Sequence, residues 1–218
     1  MSLIIDFANI ILHLDKYLTT LIHDYGILIY LILFLVVFCE TGLIFFPFLP
    51  GDSLLFAAGA VASQGSMNIW LLYLVLIAAA IFGDTLNYFI GRNVGMKLFA
   101  KVKYLKHEHL DKTHKFFDKY GGKTIILARF LPIVRTLAPF VAGIGRMRYL
   151  RFLTYNVLGG IIWISVFLLG GYFFGNISFV KNNFTLVLMM IIIVSLIIPI
   201  IEYIRHKKQL KNEKTLQI

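Results

Sequence analysis

The most informative part of the sequence is Phe48-Leu49-Pro50-Gly51-Asp52, which leads directly into the apolar run Ser53-Leu54-Leu55-Phe56-Ala57-Ala58-Gly59. Asp52 stands where a helix would begin, and its carboxylate can accept a backbone hydrogen bond as an N-cap. The proline before it frees backbone groups that lipid cannot satisfy. In a membrane, the segment 48–64 is therefore expected to be a re-entrant helix enclosed by protein, not a span that faces lipid.

Composition indicates that the chain does lie in a membrane. Hydrophobic residues make up 59% of its 218 residues and charged residues 15%, against roughly 45–50% and about 25% in soluble domains. A soluble globule of this size has too little interior to bury so much apolar surface. This excludes a water-soluble enzyme, a disordered regulator and a nucleic-acid-binding domain, and the single cysteine excludes a disulfide scaffold. We expect an all-α integral membrane protein.

Four apolar stretches are long enough to cross a hydrocarbon layer of about 30 Å as helices, which takes roughly 20 residues. They lie at approximately residues 26–46, 68–91, 152–174 and 184–204. A further stretch, 124–145, contains two arginines and two prolines and is expected to be a second re-entrant, broken helix. We therefore predict a single membrane domain over residues 1–218, with about four transmembrane helices and two opposed re-entrant segments.

A weak internal repeat relates the two interrupted segments. Phe48-Leu49-Pro50 recurs as Phe130-Leu131-Pro132, and Ala58-Gly59 recurs as Ala142-Gly143. Together with the opposite predicted entry sides, this pattern suggests an inverted repeat of the kind found in secondary transporters. The halves would be 26–91 and 124–204, with broken helices meeting near the midplane to form a binding site.

Basic residues predict the orientation. Most of the 21 lysines and arginines lie in 92–123, around 146–151 and in the tail 205–218. Cytoplasmic loops carry such an excess of positive charge, so we expect these regions and both termini in the cytoplasm. The connector 92–123 is either a helix that rests on anionic headgroups or a solvated link. Because no basic stripe marks a folded face, nucleic acid is not expected as a partner.

Residues 1–24 are predicted to be an amphipathic helix. Polar side chains recur every three or four residues, so that they form one stripe along the helix. They are Asp6, Asn9, His13, Lys16, Thr20 and His23. A helix in the membrane interface is favoured, and a short helix packed against the bundle is the alternative. No basic residue precedes Lys16, which argues against a cleavable signal peptide.

Two acids and two bases within the apolar segments are the main site candidates: Glu40, Asp52, Arg129 and Arg135. A lone charge at membrane depth costs from ~2.5 kcal/mol upward, so we expect these groups to pair with one another across the midplane. The arginine forks suit phosphate oxygens, and the acids can bind and release protons. Each group has a structural alternative: Glu40 at the interface if its span ends early, Asp52 as a helix cap, and the arginines extended towards the headgroups.

Three further polar side chains, Asp84, Asn156 and Trp163, lie within predicted spans as secondary site candidates. Each can bridge helices by hydrogen bonds, and for Asn156 and Trp163 packing is the favoured alternative. The sequence contains neither His-Glu-x-x-His nor Gly-x-Ser-x-Gly, and it has no Gly-x-x-x-x-Gly-Lys phosphate loop. We therefore expect no catalytic residue, no metal and no cofactor, and a chemistry of charge recognition and proton transfer.

Several sequence motifs are specific for a family when they are taken together. They are Phe46-Pro47-Phe48-Leu49-Pro50-Gly51-Asp52-Ser53-Leu54-Leu55, Gly83-Asp84 with Asn87-Tyr88 and Gly91-Arg92, Lys123-Thr124-Ile125-Ile126-Leu127-Ala128-Arg129-Phe130, Pro132-Ile133-Val134-Arg135-Thr136 and Pro139-Phe140-Val141-Ala142-Gly143. Over nearly the whole chain, the sequence resembles the bacterial DedA family of the VTT-domain, or SNARE-associated, superfamily.

The resemblance implies two opposed re-entrant helices in a bacterial inner membrane. It also implies that the chain moves lipids, chiefly undecaprenyl phosphate or phosphatidylethanolamine, between leaflets with a link to the proton gradient. The family's essential acids fall on Glu40 and Asp52, and its essential arginines fall on Arg129 and Arg135.

The resulting prediction is a lipid transporter, or flippase, that moves an anionic phospholipid or undecaprenyl phosphate between leaflets with proton coupling. Arg129 and Arg135 would bind the phosphate, while Glu40 and Asp52 would exchange protons. The expected partners are a lipid headgroup and protons, and a homo-oligomer is compatible with the sequence. Two alternatives stay open: a proton-driven cation or drug antiporter, in which only the acids matter, and a membrane scaffold or assembly factor, which needs no titrating group.

Overall fold

A computed structural model describes residues 14–43, 51–95, 122–191 and 193 of the chain. Predictions for the start of the N-terminal helix, most of the connector 92–123, the end of the last span and the tail 205–218 lie outside these residues. Within them, all regular structure is helical. The α-helices are α1 (Leu14–Tyr25), α2 (Leu28–Gly42), α3 (Gly51–Ala62), α4 (Ile69–Ile90), α5 (Lys123–Ala128), α6 (Pro132–Ile144), α7 (Tyr149–Ile164), α8 (Gly170–Phe174) and α9 (Ser178–Asn182). π-Helical turns follow α4 at Gly91–Gly95 and α7 at Ser165–Leu169.

Two uninterrupted helices are long and apolar enough to cross a membrane. α4 continues through its π-turn as Ile69–Asn93, and α7 continues through its π-turn and α8 as Tyr149–Phe174. They contain 25 and 26 residues, where about 20 suffice. α4 begins at a good cap, because the Asn68 side chain accepts hydrogen bonds from the N–H groups of Trp70 and Leu71 at 3.0 and 3.1 Å.

The exposed surface of these two helices is largely apolar, with exposed arginines near one end of each, Arg92 and Arg151. Their exposed large side chains include Trp70, Leu71, Leu74, Phe82, Leu150, Leu158 and Phe173. An extensive apolar surface of this kind is typical of a contact with a membrane or another protein. The predicted spans 68–91 and 152–174 thus coincide with helices of the right length and surface.

The break predicted within 124–145 is present in the structure, and α3, within the predicted segment 48–64, is a separate helix whose preceding prolines lie outside the described residues. α3 is short, and all 12 of its residues are buried, so other parts of the protein enclose it. The second segment breaks between α5 and α6, where Leu131 is extended (φ −117°, ψ 104°) and Pro132 begins α6. A residue before proline prefers this conformation. The break leaves Arg129 at the end of α5 and Arg135 within α6.

The structure describes parts of the remaining predicted segments. α2 occupies most of the stretch 26–46, and helical residues 184–191 begin the stretch 184–204. α1 falls largely within the predicted N-terminal helix 1–24 and packs against α3. Leu18 of α1 is buried in the core. The place of α1 in the membrane interface stays a prediction.

One kind of helix contact occurs twice, in agreement with the internal repeat. α3 packs against the continuation of α7, and α6 packs against the end of α4. Each contact contains one glycine from either helix, and a Cβ at any of the four would collide with a carbonyl oxygen of the partner helix. The glycines, each with the residue that bears the carbonyl, are Gly59 with Leu168, Gly171 with Phe56, Gly143 with Tyr88 and Gly91 with Phe140. The same sequence spacing relates Gly59 to Gly143 and Phe56 to Phe140, so the two contacts correspond residue by residue.

We predict that Gly59→Ala destabilises the protein by about 1–3 kcal/mol, the usual effect of overpacking. The new methyl group would meet the carbonyl of Leu168. Gly170→Ala is the matched control, because a Cβ at this helical glycine meets nothing within 4 Å. Both changes raise helix propensity by about 1 kcal/mol, so the contact is what distinguishes them. Thermal unfolding in detergent should show a lower midpoint for Gly59→Ala than for the control, and equal midpoints would contradict this packing.

Candidate functional site

Three of the predicted site residues meet where α2 ends and where α3 and α6 begin. The guanidinium of Arg135 donates from Nη1 to Asp52 Oδ1 at 2.8 Å and from Nη2 to Glu40 Oε1. All three side chains are buried: Arg135 is 3% exposed, Asp52 6% and Glu40 0%. The expected pairing of both acids with an arginine is therefore present. We refer to Glu40, Asp52 and Arg135 as the Arg135 site.

Local structure explains why these groups converge. Asp52 lies in the first turn of α3, where the helix dipole favours a carboxylate. Glu40 lies in the last turn of α2, where the dipole disfavours one, so Glu40 needs the guanidinium of Arg135 as a counter-charge. Gly51 permits the close approach, because a Cβ at this position would collide with the Glu40 carboxylate.

A second ion pair joins Arg129 to Asp84. Nη2 of Arg129 donates to Asp84 Oδ2 at 2.6 Å and to Asn156 Oδ1 at 2.5 Å. Asn156, on α7, is held in turn by α4, because its Nδ2 donates to the carbonyl oxygen of Ile81 at 3.1 Å. Arg129 and Asp84 are each 1% exposed. We refer to Arg129, Asp84 and Asn156 as the Arg129 site.

The Arg129 site contains hydrogen-bonding groups that are not used. Nε and Nη1 of Arg129 and Oδ1 of Asp84 are buried and have no hydrogen-bond partner among the described residues. Most buried polar groups in proteins are hydrogen-bonded, and leaving one unsatisfied costs about 1–3 kcal/mol, more for charged groups. Two of the three guanidinium nitrogens of Arg129 are thus available to a further acceptor.

Trp163 on α7 connects the two sites. Its ring centroid lies 4.7 Å from Cζ of Arg135 and 5.8 Å from Cζ of Arg129, and cation–π attraction acts within about 6 Å. Its Nε1 also donates a 2.9 Å hydrogen bond to Asp52 Oδ1. The side chain is fully buried. Trp163 therefore makes specific contacts with both sites, beyond the packing that its sequence context favours.

Asn87 supports the Arg135 site from outside, a role that its sequence context did not indicate. Its Nδ2 donates to the carbonyl oxygens of Thr41 at 3.2 Å and Thr136 at 2.6 Å. These bonds tie the end of α2 and the start of α6 to α4. Asn87 follows Asp84 by three residues, so the two lie on one face of α4. That spacing is the signal that could have identified it.

The expectation that Arg129 pairs with Glu40 or Asp52 is wrong. Arg135 pairs with both acids, and Arg129 pairs with Asp84, a secondary candidate. The helix break at residues 129–131 explains the difference, because it places Arg129 where α5 packs against α7 and places Arg135 next to the start of α3. Six of the seven candidate residues nevertheless lie in these two sites, and the seventh, Trp163, bridges them; their functional roles stay predictions.

Comparison with known proteins identifies the family. The VTT domain matches residues 49–173, which is more than half of the chain. Protein DedA of Escherichia coli strain K12 is 52% identical over 212 residues, covering 95% of this chain and 97% of that protein. The chain belongs to the DedA family. Other DedA-family relatives include an uncharacterized membrane protein of Mycobacterium tuberculosis, 41% identical over 182 residues (82% of this chain, 80% of the relative), and the inner membrane protein YghB of Escherichia coli K12, 38% identical over 157 residues (71% and 72%). No solved structure matches the chain significantly.

DedA-family membership makes the chain a membrane protein, as its composition predicts. The apolar helices and the names of the relatives are consistent with a bacterial inner membrane. The matched domain begins shortly before Asp52 and ends after Trp163. It therefore holds the whole Arg129 site and all of the Arg135 site except Glu40.

We predict that Arg135→Met lowers stability far more than Glu40→Gln. Loss of the guanidinium leaves two carboxylates buried without a counter-charge, and breaking a buried ion pair in this way typically costs about 3–5 kcal/mol. Glu40→Gln keeps the pair between Arg135 and Asp52 and nearly the same shape. Arg151→Met, at an exposed position of α7, is the control. Unfolding midpoints in detergent should rank Arg151→Met highest and Arg135→Met lowest; an Arg135→Met midpoint equal to the control would show that these ion pairs do not stabilise the fold.

Proposed function

We propose that the chain is a lipid transporter that moves an anionic phospholipid or a polyprenyl phosphate, such as undecaprenyl phosphate, between membrane leaflets with proton coupling. The observation that carries this proposal is Arg129, a fully buried arginine with two guanidinium nitrogens that no described residue engages. An arginine fork matches phosphate oxygens in geometry and charge. The acyl or prenyl chain stays in lipid, beside the apolar outer surface of α4 and α7.

The balance of buried charge supports proton coupling. The two sites together contain two guanidinium groups, on Arg129 and Arg135, and three carboxylates, on Glu40, Asp52 and Asp84. With all of them ionised, one negative charge has no counter-charge, and an apolar interior strongly disfavours that state. One proton removes the excess. Glu40 and Asp52 share a single guanidinium, so they are the natural pair to hold that proton.

The driving force follows from the same charges. A membrane potential contributes ~2.3 kcal/mol per elementary charge and 100 mV, so it biases the movement of a charged headgroup and of the protons that accompany it. The direction that fits a carrier lipid is return from the outer to the inner leaflet. The protein itself binds the headgroup and exchanges protons, with no covalent change to the lipid.

The proposed topology places the sites inside the membrane. α2, α4, α7 with α8, and the segment from residue 184 are the four spans. α3 and the broken helix α5–α6 are re-entrant segments that enter from opposite sides, as the repeated glycine contacts and the burial of α3 support. Both termini lie in the cytoplasm of a bacterial cell, on the side where the clustered basic residues belong.

We predict that Arg129→Lys slows lipid transport about 10- to 100-fold. Lysine keeps the charge but not the planar fork, and hydrogen bonds to charged groups contribute about 1.5–3 kcal/mol. The measurement uses proteoliposomes that contain a polyprenyl phosphate and a water-soluble phosphatase added outside, which hydrolyses only headgroups in the outer leaflet. Arg151→Lys, the same substitution at an exposed arginine, should transport lipid at the wild-type rate.

The same assay separates the proposal from its alternatives. Equal rates for wild type, Arg129→Lys and protein-free liposomes would contradict lipid transport. Unchanged arginine variants combined with a defective Glu40→Gln, in an assay of cation exchange, would favour a proton-driven antiporter. Full cellular function of Glu40→Gln and Arg129→Lys together would favour a scaffold, which needs shape but no titration.

A further inference from the structure

We propose that Asp84 is a displaceable counter-ion: an anionic phosphodiester or phosphate oxygen replaces it on Arg129, and Asp84 takes up one proton as it is released. This inference rests on the proposed function, since it takes the anion to be a lipid headgroup. Asp84 would then exchange protons in addition to Glu40 and Asp52. The step breaks one ion pair and forms another, and the proton that neutralises the Asp84 carboxylate comes from water.

Asp84 binds Arg129 through one hydrogen bond, which is weaker than the bidentate contact that a guanidinium can make with an anion. Asp84 engages only Nη2 of Arg129, through Oδ2, and its Oδ1 has no hydrogen-bond partner among the described residues. The strong arginine–anion contacts are bidentate, with two parallel N–H bonds from neighbouring nitrogens. Each bidentate fork of a guanidinium includes an N–H of Nη2. Asp84 and Asn156 occupy Nη2, so a phosphate that binds Arg129 through a fork must replace one of them, and its negative charge repels the carboxylate of Asp84 but not the neutral amide of Asn156.

Arg135 is less open to an incoming anion. Its Nη1 and Nη2 are both bonded to carboxylates, and the Trp163 ring lies over its guanidinium. Among the described residues, Arg135 already neutralises two carboxylates and has one unpaired nitrogen, Nε, whereas Arg129 neutralises one carboxylate and has two unpaired nitrogens. The two arginines, equivalent in the sequence prediction, thus differ in structure: Arg135 holds the acid pair, and Arg129 is the one available to substrate.

Asn156 allows Asp84 to leave without loss of the arginine's position. Its Oδ1 accepts from Arg129 Nη2, and its Nδ2 donates to Ile81 and, at 3.4 Å, to Thr85 Oγ1. Gly159 also helps to hold the arginine side chain in place. A Cβ at this glycine would lie only 3.1 Å from Cδ of Arg129, so the two residues are closely packed. The guanidinium therefore stays oriented when the carboxylate is released.

The surrounding charges determine where the proton goes. Among the described residues, the charged groups that face Asp84 are Arg129 at the end of α5, Arg135 on α6 and, beyond Arg135, Glu40 on α2 and Asp52 on α3. Arg92 and Arg151 are exposed. An added anion raises the negative charge of this group by one, and the interior disfavours that. Once the headgroup balances Arg129, Asp84 is the carboxylate left without a guanidinium, so it is the one that takes up the proton.

The test measures proton uptake when lipid binds. The purified full chain in detergent, in weakly buffered solution with a pH-indicator dye, is titrated with short-chain phosphatidylglycerol, whose phosphodiester carries one fixed negative charge. Wild type should take up about one proton per lipid bound, as linkage requires when binding changes the protonation of one group. Asp84→Asn, which mimics the protonated acid, should bind at least as tightly and take up none. Asp24→Asn, exposed on α1, should behave as wild type.

Each outcome has a defined meaning. Binding by Asp84→Asn with unchanged proton uptake would overturn the role of Asp84 and leave the proposed function intact. Weaker binding by folded Asp84→Asn would also overturn it, because Asp84 would then orient Arg129 instead of competing for it. If Asp84→Asn does not fold, Glu40→Gln and Asp52→Asn decide: both must still take up the proton, and loss of uptake in either overturns the inference. Failure of wild type to bind any anionic lipid would contradict the proposed function itself.

Discussion

Charged side chains inside an apolar bundle must neutralise one another, and much of this architecture follows from that requirement. Three carboxylates and two guanidinium groups are almost completely removed from solvent. Each must therefore lie within reach of a group of opposite charge, or the fold loses several kcal/mol. Meeting that condition requires helices that stop inside the protein, because their ends bring charged residues together that continuous helices would hold apart.

The helix breaks and the glycine contacts serve this purpose together. α3 is enclosed on all sides, and its first turn presents Asp52 to Arg135. The break before Pro132 separates the two arginines, so each obtains its own acids. Close contact between α3 and the continuation of α7, and between α6 and the end of α4, brings both segments to the same region. Trp163 then lies between the arginines and links one site to the other.

Much of this arrangement could be predicted from the sequence, and the limits of prediction have physical causes. Pro132 indicated the break between α5 and α6, and the cost of burying charge indicated that Glu40 and Asp52 would meet an arginine. The choice of arginine was not predictable, because it depends on the direction in which the chain leaves residues 129–131. Asp84 is an unremarkable carboxylate in a continuous apolar helix, and its role as counter-ion appears only once α5 packs near α4. The contacts of Trp163 could not be predicted either, because the residues that it meets belong to three other segments.

A negatively charged headgroup on Arg129 is central to the proposed function, and solid-state NMR can measure that contact without any change to the protein. The full chain, labelled with ¹⁵N in the arginine side chains and reconstituted with an anionic lipid, would be examined for dipolar coupling between lipid ³¹P and guanidinium ¹⁵N. Charge-assisted hydrogen bonds place phosphorus about 4 Å from these nitrogens, so we expect a coupling of that range that disappears in Arg129→Lys and persists in Arg151→Lys. Absence of any such coupling in wild type, or its full retention in Arg129→Lys, would contradict the assignment.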